Sequence, residues 1–195
     1  MSESATNPLA EVLTIGHSTR SLETFIDLLQ AYGVKRLVDV RTVPRSRRNP
    51  HFNKEVLPAA LLVARINYTH LPGLGGLRHA RRDSPNTGWR NSSFRGFADY
   101  MQTEEFESAL EEVIELAAGE PLALMCAEAV PWRCHRSLIA DALLVRGVNV
   151  SHIMTRQSCR KHTLTPWAMV NGKQITYPAA TLDMNLGSGR SVDAR

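Results

Sequence analysis

Between Cys126 and Arg136 the chain carries six side chains able to do chemistry: Cys126, Glu128, Arg133, Cys134, His135 and Arg136. Together they offer a nucleophile, proton-transfer groups and cations that could hold an oxyanion. Leu122 to Ala127 before them suits a strand buried on both faces. After them, apolar residues recur at helical spacing from Leu138 through Ala142 and Val145, and Gly147 can cap the end. The basic residues therefore crowd the start of a helix, where the backbone dipole favours acids. Cations in that place point to a negative ligand among them.

The rest of the chain reads as the scaffold for this loop. Val12 to Gly16 is a first strand, and Ser21 can cap a helix whose apolar face is Leu22, Phe25, Ile26 and Leu29. Gly33 ends that helix, and Arg36 to Arg41 is a second strand. A helix from Glu55 to Arg65 carries Pro58 in its first turn. Asn67 to Leu71 is a third strand, Phe94 to Tyr100 and Thr103 to Ala118 are helical, and Val148 to Met154 is a fifth strand after Leu122 to Ala127. Asn171-Gly172 between apolar flanks predicts a β-hairpin. The segment Pro72 to Ser93 lacks apolar periodicity, and loops of that length are usually functional or disordered. Alternating strands and helices predict a Rossmann-like α/β fold: one mainly parallel sheet of about five strands, helices on both faces, and a C-terminal hairpin. The expected organisation is a flexible N-terminus over 1–11, one domain over 12–178 and a disordered tail over 179–195.

At 195 residues and 43% hydrophobic content the chain can bury one substantial core. No apolar run is long enough to span a bilayer, and the N-terminus lacks the regions of a signal peptide, so the chain reads as cytoplasmic with no membrane partner. Three cysteines, Cys126, Cys134 and Cys159, make a disulfide framework unexpected. Charge is uneven: residues 41–95 hold ten Arg and one Lys against Glu55 and Asp83, whereas 96–128 hold nine acids and no base. The acidic stretch reads as the solvated face of a helix. Arg outnumbers Lys nineteen to four, which fits bidentate oxyanion recognition and equally fits a codon bias.

In open α/β sheets ligands bind at the carboxyl ends of the strands. That rule gathers His17 and Ser18, Asp39 and Arg41, the loop from Pro72 to Arg78, and Cys126 to Arg136. Cys126, His17 and Glu128 are the candidate catalytic groups. Ser18, Arg41, Arg45, Gly75, Gly76, Arg133, Cys134, His135 and Arg136 are the candidate anion-binding set. Each has a structural alternative. Cys126 can be a small buried apolar residue, Glu128 can pair with Arg133 or Arg136, and His17 can cap neighbouring backbone. Asp39 lies between Val38 and Val40, where a charge needs a structural partner. The glycines from Gly73 to Gly76 fit neither GxGxxG nor GxxxxGK[ST], so no nucleotide cofactor is called for.

Four blocks, GHSTRSLETFIDLL, VDVRTVPRSRRNPHFN, YTHLPGLGG and CAEAVPWRCHRSLIADAL, resemble the domain of unknown function 488 family over about residues 12 to 178. The resemblance implies a compact cytoplasmic α/β protein with a site built from these blocks, and no settled activity. VDVR at a strand end, and a strand-end Cys with Arg-Ser opening the next helix, are similar in part to rhodanese and Cys-phosphatase domains. The spacing differs: Cys126 lies seven residues before Arg133 and ten before Arg136, a longer loop than those enzymes use. Three functions stay open. One is an enzyme on a small phosphorylated or other oxyanionic substrate, with nucleotide-like ligands among the candidates. Another is a nucleic-acid-binding protein using a basic stripe over 41–48 and 78–95, where Arg residues interleave with Trp89. The third is a metal-dependent enzyme using Cys126, Cys134 and His135. Adjacent Cys-His is poor chelate spacing and no CxxC or HxxxH pair is present, so no metal is assigned.

Overall fold

The computed structural model describes residues 11–179; the expectations for residues 1–10 and 180–195 lie outside them. Five parallel strands form the body of the sheet: β1 (Glu11–Gly16), β2 (Arg36–Asp39), β3 (Asn67–His70), β4 (Leu122–Cys126) and β5 (Asn149–Ile153). The order across it is β3-β2-β4-β1-β5, with a sixth strand, β6 (Cys159–Lys161), antiparallel on the β5 edge. Sequence periodicity predicts five strands because β6 is three exposed polar residues with no alternation to read. The expected hairpin is β7 (Met169–Asn171) with β8 (Gln174–Thr176), and Gly172 takes the positive φ of its turn.

β4 shows why helices cover both faces. Its five residues are all buried, and alternate side chains enter different cores. Ala123 and Met125 join Ile15, Leu37 and the apolar faces of α1 (Leu22–Ala31) and α2 (Leu57–Val63). Leu122, Leu124 and Cys126 join Val38, Val12 and the faces of α3 (Ser92–Tyr100), α4 (Glu104–Gly119) and α5 (Arg136–Val145). Ser21 caps α1 by accepting from Thr24 N at 3.1 Å, and Pro58 sits in the first turn of α2.

The segment from 72 to 93 is held by one buried acid. Asp99 accepts from Ser84 Oγ at 2.6 Å, Asn86 Nδ2 at 2.7 Å and Arg81 N at 2.8 Å. Asn86 Oδ1 in turn accepts from Tyr177 N at 2.8 Å, so the loop is stitched to the C-terminal hairpin. Asp99 thus departs from the solvated face expected of the acidic stretch. Glu104, Glu105, Glu111, Glu112 and Glu115 on α4 keep to it.

Candidate active site at the strand ends

The carboxyl ends of β1, β2 and β4 open onto a cavity of about 320 Å³. His17, Arg41, Arg45, Gly76, Cys126, Glu128 and His135 line it, together with Thr42, Val43, Ser46 and Leu77. Two backbone bonds clasp its floor: His17 N donates to Cys126 O and Ser18 N to Ala127 O, both at 2.9 Å. Gly16 has to be glycine here, because a Cβ would collide with Glu128 O and Arg136 Nη2. Gly76 is pressed on the His135 imidazole, where a Cβ would also collide, and a Cβ on Gly75 would meet Thr42. The two glycines serve close packing of this wall.

On the β2 side the charges are closed on themselves. Asp39, fully buried, takes Arg41 Nε at 2.8 Å and Nη2 at 2.6 Å, and also Tyr68 Oη at 2.8 Å. Arg41 Nη2 reaches Phe52 O at 2.7 Å and Nη1 reaches His17 Nε2 at 3.3 Å. Tautomer follows from the partners. His17 Nδ1 lies 2.9 Å from Ser18 O, which can only accept, and Nε2 faces a guanidinium, which can only donate. His17 is therefore neutral with its free lone pair taken, and burial pushes its pKa down to about 4. The imidazole also stacks on Phe52 with ring centres 4.3 Å apart.

On the β4 side the arrangement differs. Arg136 is 1% exposed, yet it has no carboxylate partner among the described residues. It donates to Glu128 O at 2.7 Å, Thr14 Oγ1 at 3.2 Å and Cys134 Sγ at 3.4 Å. The expected Glu128 ion pair is absent among the described residues: Arg136 binds the Glu128 carbonyl, and the carboxylate stays exposed at the cavity mouth. Cys126, Cys134 and His135 Nδ1 all lie within 4.8 Å of one another. His135 Nδ1 is 3.7 Å from Cys134 Sγ and 4.0 Å from Cys126 Sγ, and its Nε2 is buried without a partner among the described residues.

The two thiols are pushed in opposite directions. A hydrogen bond to the Cys134 sulfur, reinforced by burial, holds the Cys126 thiol well above its usual range. Burial alone would raise Cys134 too. The Cys126 S–H, His135 and Arg136 outweigh that and hold Cys134 well below the usual range. Of the two, Cys134 is the one favoured as a thiolate, and its sulfur accepts from Arg136 Nε.

From Arg136 a hydrogen-bonded chain runs away from the cavity. Thr14 Oγ1 donates to His152 Nδ1 at 2.7 Å, His152 Nε2 to His162 Nδ1 at 3.1 Å, and His162 Nε2 to Asp141 Oδ1 at 2.8 Å. Asp141, fully buried, also accepts from Thr165 Oγ1 at 2.6 Å and Tyr177 Oη at 2.9 Å. With neutral imidazoles throughout, Asp141 as the terminal acceptor gives every link this one direction.

Of the residues expected to form the site, Cys134 and Arg136 lie directly behind the cavity wall. Ser18 and Gly75 adjoin it, and Arg133 is exposed and outside it. Sequence reasoning misses Thr14, Asp141, His152 and His162. Three arginines of the expected basic stripe have partners within the chain, two of them in exposed pairs. Arg45 pairs with Glu55 at 2.9 Å, Arg81 pairs with Asp83 at 2.7 Å, and Arg78 covers the Tyr100 ring at 3.5 Å. No helix of the described residues is long and apolar enough to cross a membrane.

A family model described as Domain of unknown function DUF488 matches residues 21–143, from α1 through most of α5. That span holds Arg41, Gly75, Gly76 and the whole loop from Cys126 to Arg136. No curated protein and no solved structure matches the chain.

Proposed function

The chain belongs to the DUF488 family, and from that premise we propose that it is a thiol-dependent enzyme acting on a small oxyanionic substrate in the strand-end cavity. The observation that carries this reading is the cluster of Cys126, Cys134 and His135, their ligand atoms within 4.8 Å of one another, beside a buried guanidinium with no carboxylate partner among the described residues. Cys126 lines the cavity and holds the proton, while Cys134 lies behind it as the base. As Cys126 Sγ bonds to the electrophilic atom of the substrate, the bond from that atom to its leaving group breaks and the Cys126 proton moves to Cys134 Sγ. Arg136 holds the negative charge of the pair in place before the step. Arg45 and the Nη1 edge of Arg41 supply positive charge to the substrate oxygens, and His17 fixes the orientation of Arg41. Glu128 at the mouth is the group placed to exchange a proton with the leaving group.

A second reading is favoured by the sulfur and nitrogen spacing. A tetrahedral zinc with Zn–S of about 2.3 Å and Zn–N of about 2.0 Å sets neighbouring ligand atoms roughly 3.6 Å apart. His135 Nδ1 to Cys134 Sγ is 3.7 Å. In that case Cys126, Cys134 and His135 are ligands, and the position facing the cavity is left for substrate.

Alkylation read by mass spectrometry separates the two. In the thiol reading one thiol of the Cys126–Cys134 pair labels faster than the exposed Cys159 at and below neutral pH, and added phosphate or thiosulfate protects it. Slower labelling of both than of Cys159, unchanged by chelator, would sink that reading. Labelling that appears only after chelation, with stoichiometric metal in the purified protein, would move the assignment to the metal-dependent enzyme.

A further inference from the structure

A second cavity, of about 220 Å³, lies beyond the strand-end site and gathers all three tryptophans of the chain. Trp89 comes from the loop before α3, Trp132 from the loop between β4 and α5, and Trp167 from the segment before β7. Trp89 and Trp167 meet edge to face with centres 5.1 Å apart. Trp132 and Trp167 remain 54% and 43% exposed, although indoles are the side chains with most to gain from burial. β6 sets Arg160 and Lys161 on the same wall, with the Arg160 guanidinium 5.6 Å from the centre of the Trp132 ring. No Asp or Glu is among the lining residues. The floor is His152 and His162, whose ring nitrogens are already committed to the chain ending at Asp141.

An apolar ligand would not need two cations at the wall, and a bare phosphate would not need three indoles. The combination selects a planar π-system that carries a negative charge. We propose that this cavity binds one nucleotide unit, its base against Trp132 and Trp167 and its phosphate against Arg160 and Lys161. The unit can be a free mononucleotide or the phosphorylated end of a strand, because both present the same base and phosphate. The site is separate from the thiols, so its test does not depend on the activity proposed for them.

Since every tryptophan lines the cavity, intrinsic emission reports on this place alone. The full-length protein is titrated with adenosine, guanosine and uridine monophosphates, with excitation at the red edge of the indole band and equilibrium dialysis in parallel. Saturable binding is expected with at least one of them. Adenosine and inorganic phosphate offered separately should each bind about tenfold more weakly or worse, as expected for losing one of the two contacts. Arg160→Gln and Trp132→Ala should weaken binding by a similar factor while leaving Tm near that of the wild type. A short single strand with and without a 5′-phosphate then separates the sources. Preference for the free nucleotide, or for the phosphorylated end, supports the proposal with that source. No saturable binding in either readout, binding untouched by both variants, or strand binding indifferent to the terminal phosphate would overturn it.

Discussion

Two buried arginines stand on opposite sides of the strand-end cavity, and they are neutralised by different chemistry. Arg41, after β2, is locked to the Asp39 carboxylate by two parallel bonds of 2.8 and 2.6 Å. Arg136, at the start of α5, donates only to a carbonyl, a hydroxyl and a sulfur. A carboxylate in place of Cys134 would close the second region as firmly as the first. A thiol there, held below its usual range, leaves at Arg136 an atom that can take and return a proton. The Arg41 region is built to stay as it is, and the Arg136 region is built to change state.

The largest expected effect comes from breaking the closed region. Asp39→Ala leaves Arg41 buried and without its counter-charge, and also strips Tyr68 Oη of its acceptor. Removing one partner of a buried ion pair typically costs about 3–5 kcal/mol. Urea unfolding of the purified variant should show a loss of that order. A change below about 1 kcal/mol would mean that Arg41 finds another partner or water, and the contrast between the two regions would fail.

Next in size is a pH dependence shared by both sides. Burial pushes His17 down to about 4 and His152 to about 3, against an ordinary value of 6.5. Below pH 6.5 the unfolded chain takes up protons that the folded chain refuses. Stability contributed by His17 is therefore complete above 6.5 and is lost as pH falls from 6.5 to about 4, and His152 extends the loss toward 3. For His17 the full loss is on the order of 3 kcal/mol. Unfolding free energy measured at several pH values should slope downward through this window, and His17→Asn should flatten it. An unchanged slope in the variant would mean that the folded protein holds His17 already charged.

The sequence is most legible where the candidate site is local. The loop from Cys126 to Arg136 is one continuous stretch between a buried strand and a helix, so composition and spacing suffice to find it. What spacing does not carry is the break between the short 3-10 turn that ends at Arg133 and the helix that begins at Arg136. Arg133 and Arg136 are the same residue type three positions apart, yet the first is exposed and the second 1% exposed. Which way each sulfur is pushed depends on burial, on the neighbouring sulfur and on His135, with Arg136 after them, all three-dimensional facts. Asp141 is hidden between Ala140 and Ala142 on a helix that reads as apolar, and His162 follows a three-residue strand too short for a pattern. The chain from Thr14 to Asp141 joins residues 14, 152, 162 and 141, and such pairings leave no periodic trace. The long loop from Pro72 to Ser93 is legible as irregular, while its order depends on Asp99, which sits on another element.

The smallest expected effect is the one that most sharpens the contrast. Cys134→Ser keeps a polar atom of similar size near Arg136 Nε, so packing and the hydrogen bond are largely preserved. The hydroxyl cannot hold the negative charge at neutral pH, and the guanidinium is left with neutral acceptors only. A hydrogen bond to a charged group weakened in this way should cost about 1–2 kcal/mol, less than Asp39→Ala by a clear margin. The more telling change is at Cys126. Its thiol is held high first by the hydrogen bond to Cys134, and with that sulfur gone Arg136 becomes the nearest charge acting on it. The pH profile of Cys126 alkylation should then move to lower pH, the opposite of what loss of a merely structural thiol would do. A profile that stays in place would show that burial, not the hydrogen bond to Cys134, sets the reactivity of Cys126. Arg136 would then be as closed a structural cation as Arg41.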